Sequence, residues 1–276
     1  MIDKEKHKKI LNDTMKAFIA ICDYYNLKYV ASFGTVLGAV RHKGFIPWDD
    51  DIDVYMLRED YEKFIRLDLS NTFNKYEVIS CRSDSNFYLS YAKLCNKNTT
   101  IWEYEEFEFP IGVFVDVFPL DFYNINSSNL LEKYQKAWVS NLRALFTPTI
   151  SSVVHQNFNI RYLCSSLLKM ILYKTRKKIL YDRFLSIEQL VMEEKGEHLV
   201  LYGESAIFVE DFVLDIVEVP FEDYTIKIPR RYEEYLEIMY SDWRQLPPIE
   251  QRKNGHAKFY FNLEKRESIH EIKFKF

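Results

Sequence analysis

The chain has 276 residues, 47% hydrophobic and 16% aromatic, with a formal net charge of −4. That is enough for one sizeable core, excludes a disordered chain, and gives no case for nucleic acid as a partner. Cys22, Cys81, Cys95 and Cys164 show no C-x-x-C spacing, which excludes a zinc ribbon or a disulfide framework.

The charged N-terminus lacks the apolar stretch of a signal peptide, and no window of about 18 apolar residues exists for a membrane span. The expected location is the cytoplasm. Ile10, Leu11, Met15, Phe18, Ile19, Cys22 and Tyr25 recur at helical spacing, which predicts an amphipathic helix over 3–26 laid against a sheet.

Ala31 to Met56 is the most informative stretch. Tyr29 to Phe33 predicts a short strand ending at a Gly34-Thr35 turn, and Thr35 to Val40 can start a helix whose N–H groups face phosphate. Ile52 to Met56 predicts a second strand, on which Asp51 and Asp53 point the same way between apolar neighbours. Adjacent acids repel unless a cation sits between them, and oxygen ligands suit Mg²⁺ or Mn²⁺.

Gly34, Gly38 and Gly44 would let the backbone approach a phosphate, with Thr35 beside them. Arg41, His42 and Lys43 form a basic triplet suited to a diphosphate neighbour, Arg41 first because of its bidentate fork. Trp48 is either core or a stacking surface. An EF-hand starting at Asp49 fails at its sixth and twelfth positions, Val54 and Asp60.

Arg58 to Leu67 predicts a short solvated helix, and Tyr76–Ser80 and Tyr88–Leu94 predict further strands. Lys93 lies among apolar strand residues, aimed at the acids or snorkelling to solvent. WEYEEFEFP (102–110) combines acids with aromatics, fit for edge-strand packing or for a quaternary ammonium. Asp116, alone in the apolar run Gly112 to Phe118, is costly there unless paired or metal-bound.

Residues 126–196 predict helices, with a basic amphipathic segment around 167–183 that can pack on a domain or lie on an anionic membrane surface. Val217–Phe221 and Thr225–Pro229 predict a hairpin, Arg231–Tyr240 a helix, and Pro247-Pro248 a loop ending at His256. The tail after His256 carries no motif.

Gly-Thr, then h-D-h-D-h, then h-D-h on a later strand resembles the nucleotidyltransferase fold of DNA polymerase β. FGTVLGAVRHKGFIPWDDDIDV and GVFVDVFPLD resemble more closely the signature segments of LicD-type phosphocholine transferases. The fukutin-related ribitol-phosphate transferases are similar in the same places, and the tail PFEDYTIKIPRRYEEYL…DWRQLPP…H is a supporting match. The middle of the chain is not covered.

This resemblance implies an α+β fold: a nucleotidyltransferase-like core over 1–125, a helical insertion over 126–200, and a segment over 201–276 that returns to close the site. It implies transfer of a phospho-alcohol group, phosphocholine first, from CDP-choline or another CDP-alcohol. The acceptor would be a hydroxyl of a cell-surface glycan or its lipid-linked precursor, at the inner face of the membrane. Asp51, Asp53 and Asp116 would be catalytic and would hold Mg²⁺ or Mn²⁺. Lys93 and His256 would join the substrate contacts, since the family has a lysine and a histidine at comparable places. The alternatives are transfer of a nucleoside monophosphate to a small molecule, or a non-catalytic nucleotide-binding protein.

Overall fold

The computed structural model describes residues 3–84, 86–87, 89–103, 108–123, 173–193, 198–201, 207–209, 214–252 and 258–275. Helix α1 (Lys4–Tyr24) is capped by the Asp3 carboxylate, which accepts the Lys6 N–H. Of its predicted apolar stripe, Leu11, Met15, Phe18 and Cys22 are buried and Ile10, Ile19 and Tyr25 half-buried, while Ile21, outside the predicted stripe, is buried as well. Phe18 anchors the layer, edge-on to Tyr29 and to Phe64 at ring distances of 5.2 and 5.7 Å.

The strands are β1 (Val30–Ala31), β2 (Asp53–Leu57), β3 (Tyr76–Ile79), β4 (Ala92–Asn96), β5 (Thr100–Trp102) and β6 (Phe114–Tyr123), then β7 (His198–Leu201) and β8 (Ile207–Val209). Among the described residues they build a seven-stranded sheet, β1-β2-β6-β4-β3, with β7 added to β6 and β8 to β7, while β5 lies outside it. Only β2–β6 is parallel, so the sheet is mixed and the fold is α+β. Val115 and Val117 on one face of β6 are fully buried and Asp116 on the other is buried too, so the strand is covered on both faces.

Several expected boundaries shift. The first strand is two residues long, and helix α2 (Phe33–His42) begins at once behind it. Gly34 and Gly38 therefore lie inside a helix, not in a phosphate-cradling turn. A Cβ on Gly34 would sit 2.7 Å from Asp49 Oδ2, and one on Gly38 would strike the Gly44 carbonyl. Glycine here lets the acid-bearing loop press onto α2. Strand β2 starts at Asp53, so Asp51 lies in the approach to the strand.

Helix α3 (Arg58–Phe64) is not the solvated element expected from its charges. Tyr61 and Phe64 are buried, and Arg58 enters a buried ion network with Asp121 of β6 and Glu188 of helix α4 (Tyr173–Glu193). Of the basic segment around 167–183, only the part from 173 onward lies within the described residues. Among these residues no helix is long and apolar enough to cross a membrane.

The C-terminal third packs on the core. Strands β9 (Ile216–Phe221) and β10 (Tyr224–Pro229) pair antiparallel around Glu222-Asp223. Glu222 grips the segment after α2: its N–H donates to the Lys43 carbonyl (2.9 Å) and its carboxylate accepts the Phe45 N–H (3.0 Å). Helix α5 (Tyr232–Tyr240) follows, and strand β11 (Tyr260–Asn262) pairs with β5 before helix α6 (Ile269–Lys273).

Candidate active site

Strand register builds the floor of the site. Asp53 of β2 is the direct partner of Asp116 on β6, and Asp116 is the direct partner of Lys93 on β4. Direct partners project to the same face, so acid, acid and lysine form a row across three adjacent strands. Thr35 secures one end, its hydroxyl accepting the Asp53 N–H at 2.9 Å. It acts on the backbone of an acid, not on a phosphate. The Asp116 N–H donates to the Ile52 carbonyl at 2.8 Å.

Lys93 is 1% exposed. Its ammonium lies 2.7 Å from Asp116 Oδ1, 3.5 Å from Glu103 Oε2, and 3.2 Å from the centroid of the Phe114 ring. Of the two expectations for this lysine, the one aimed at the acids is correct. A buried ammonium held by a carboxylate and an aromatic face fixes the position of Asp116.

The acid row is under-neutralised. Burial, with the charges of Asp51, Asp116 and Asp49, pushes the Asp53 carboxyl well above the usual carboxylate range. Burial and Asp51 push Asp49 up to about 7. Asp116 rises to about 7 as well, because burial and Glu103 outweigh the opposing pull of Lys93. Such a set suits a hard divalent cation: its donors are all oxygen, and its repulsion is what a cation would relieve. Among the described residues no three His, Cys, Asp or Glu side chains already surround one common point.

Above the row lies a cleft with about 70 Å³ of room, lined by Asp50, Asp51, Leu89, Tyr91, Lys93, Glu103, Phe114, Asp116 and Lys258. Three of these polar residues were not singled out from sequence. Asp50 carries no expected role of its own, Glu103 belongs to the 102–110 stretch that fits an edge strand or a quaternary ammonium, and Lys258 lies in the tail without a motif. Glu103 and Lys258 arrive together because β11 pairs with β5, which brings the Phe259 N–H to the Glu103 carbonyl (3.3 Å). His7 of α1 is buried nearby, and burial and Lys258 lower its pKa to about 4.

Other expected contacts are placed elsewhere. None of Arg41, His42 and Lys43 lines the cleft. Arg41 Nη1 donates to the Trp243 and Gln245 carbonyls at 2.7 and 3.3 Å, and its Nε donates to His42. Its fork ties α2 to the segment after α5. Lys43 is exposed at the left-handed end of α2, with φ of 60°. Trp48 packs on the core, with the Arg252 guanidinium 5.5 Å from its ring centroid and His42 at its edge, so it is no free stacking surface. His256 lies outside the described residues.

Residues 26–150 match the family model for the LicD/FKTN/FKRP nucleotidyltransferase domain. That segment is LicD-like. It holds Asp49 through Asp53, Lys93, Glu103 and Asp116, whereas His7 and Lys258 lie outside it. The chain is 27% identical to the lipopolysaccharide cholinephosphotransferase LicD of Haemophilus influenzae over 246 residues, 87% of this chain and 91% of that protein. An uncharacterized protein of Rickettsia typhi is 31% identical over 132 residues, 48% of this chain and 40% of that one.

Proposed function

We propose that this protein is a metal-dependent transferase with a nucleotidyltransferase-like core. It moves a phospho-alcohol group, phosphocholine first among them, from a CDP-activated donor to a hydroxyl of a cell-surface glycan or its precursor. The observation that carries this reading is the in-register row Asp53–Asp116–Lys93, with Asp49 and Asp51 crowded beside it in an under-neutralised cluster. The name of the Haemophilus influenzae relative supports phosphocholine as the group and a lipopolysaccharide-type glycan as the acceptor.

Asp51, Asp53 and Asp116 would hold Mg²⁺ or Mn²⁺, which supplies charge neutralisation at the diphosphate and the departing CMP. The chain's own residues hold the geometry. Thr35 fixes the backbone of Asp53, and Lys93 fixes the carboxylate of Asp116. The acceptor oxygen forms a bond to the distal phosphorus while the bond from that phosphorus to the CMP oxygen breaks. The hydroxyl proton passes to a cleft carboxylate, Asp116 or Glu103. Little covalent chemistry is asked of the protein; positioning and charge neutralisation lower the barrier.

The test is CMP release from CDP-choline with Mg²⁺, with CDP-ribitol and CDP-glycerol run alongside. Wild type should release CMP in a metal-dependent manner, and Asp51→Asn and Asp116→Asn should lose roughly 10²–10³-fold of the rate. Pyrophosphate from nucleoside triphosphates, with no CMP from any donor, would replace this reading with nucleotidyl transfer.

A further inference from the structure

Lys258 lies outside the segment that defines the family and reaches the cleft from the far end of the chain. Its backbone is held at the rim by the β5–β11 pairing, which Glu267 locks in place. The Glu267 N–H donates to Thr100 Oγ1 (2.7 Å), and its carboxylate accepts from Asn262 (2.9 Å) and pairs with Lys275 (2.6 Å). The Lys258 side chain is 7% exposed and makes one ion pair, with Asp50. An ammonium carries three N–H donors, so two of them have no partner among the described residues although the group is nearly out of water.

Lys93, the other cation of the cleft, is already engaged by Asp116, Glu103 and Phe114. The room between the two lysines, about 70 Å³, is on the order of five water-sized positions. That suits a phosphate group and leaves a whole nucleotide to lie outward.

We infer that Lys258 binds the diphosphate of the donor, exchanging Asp50 for phosphate oxygens when substrate enters. The choice of ligand rests on the CDP-donor reading; the assignment of the residue rests on the cleft. Lys93 then positions an acid while Lys258 meets the anion, so the two lysines carry separate tasks. Asp50 is the resting partner that holds the ammonium in the cleft.

The test is calorimetric titration of wild type, Lys258→Met and Lys258→Arg with CDP and with inorganic pyrophosphate in Mg²⁺. Mn²⁺ alone is titrated in parallel. Lys258→Met should weaken both phosphate ligands at least tenfold, Lys258→Arg should retain most of the affinity, and Mn²⁺ binding should stay within threefold. Because Lys258→Met leaves Asp50 buried without its cation, the double variant Asp50→Asn/Lys258→Met is run as the folded control and should show the same loss. Undiminished binding of CDP and pyrophosphate by a folded variant would overturn the inference, as would a wild type that binds neither. A wild type that binds both through Lys258 yet releases no CMP from CDP-choline would sink the donor reading alone.

Discussion

Two clusters of charge sit at opposite ends of the same strand pair. At the start of β2 and near the start of β6, Asp53 and Asp116 face each other, with Asp49 and Asp51 adding charge and Lys93 the counter-ion within the row. Five residues further along β6, an odd offset that reverses the face, Asp121 receives both arms of the Arg58 guanidinium at 2.6 and 2.8 Å. Arg58 also donates to Glu188 (2.9 Å), and Arg82 bridges Glu188 (2.5 Å) and Glu62. Both clusters are buried and acid-rich. One has its three acids matched by three guanidinium groups, Arg66 joining on Glu62 at 3.0 Å, and holds α3 and α4 to the sheet. The other is left short of positive charge, which raises the pKa of its carboxyls.

The largest contrast should come from breaking the matched cluster. Arg58→Met strands Asp121 as a buried charge and leaves Glu188 to Arg82, and should cost about 3–5 kcal/mol, read by urea unfolding. The same measurement on Asp53→Asn in EDTA should show no loss and a gain of up to about 2 kcal/mol at pH 8, because it removes repulsion. Equal destabilisation by the two substitutions would end the comparison.

A titration sharpens it. The Asp49 carboxyl is raised from 3.8 to about 7, so between those values the folded state keeps a proton that the unfolded chain has released. Its contribution to stability therefore falls as pH rises through that window. Asp49→Asn should match wild type near pH 4 and exceed it by about 2 kcal/mol at pH 8 without metal. Mg²⁺ at about 100 times its Kd should return about 2.7 kcal/mol to wild type at pH 8, and less at pH 5, where protons compete for the same oxygens.

His7 works in the other direction. Its pKa is lowered from 6.5 to about 4, so the unfolded chain gains a proton first as pH falls, and stability drops from pH 6.5 toward 4. His7→Gln should flatten that acid limb by about 2–3 kcal/mol. The smallest effect belongs to Lys178–Asp182 on the outer face of α4, where the lysine side chain is 76% exposed. Lys178→Ala should shift stability by no more than about 0.5 kcal/mol, which separates burial from mere ion pairing.

What could be read from sequence follows the range of the interaction. Asp53 and Asp116 were visible because each has apolar strand neighbours, Asp51 because of its two-residue spacing from Asp53, and α1 and the β9–β10 hairpin because their patterns are local. The fate of Arg58 was not visible, because its partner Glu188 is 130 positions away and turns a charged helix into a buried one. Thr35 was recognised as part of the site, but its hold on the Asp53 N–H was not, since only the fold brings the two together. Glu103 and Lys258 depended on a pairing between β5 and β11 that no local pattern announces. Arg41 misled because a guanidinium that suits a phosphate also suits two backbone carbonyls.

Helix α2 is held at both ends by the C-terminal third: the Phe33 N–H donates to the Tyr235 hydroxyl at 2.9 Å, and Arg41 grips the carbonyls of Trp243 and Gln245. A growing polypeptide of 230 residues emerging from the ribosome already carries every aspartate of the row, yet lacks both fastenings and Lys258. The acids therefore precede in synthesis the parts that set them in place, and the row can close only after residue 258 has been added.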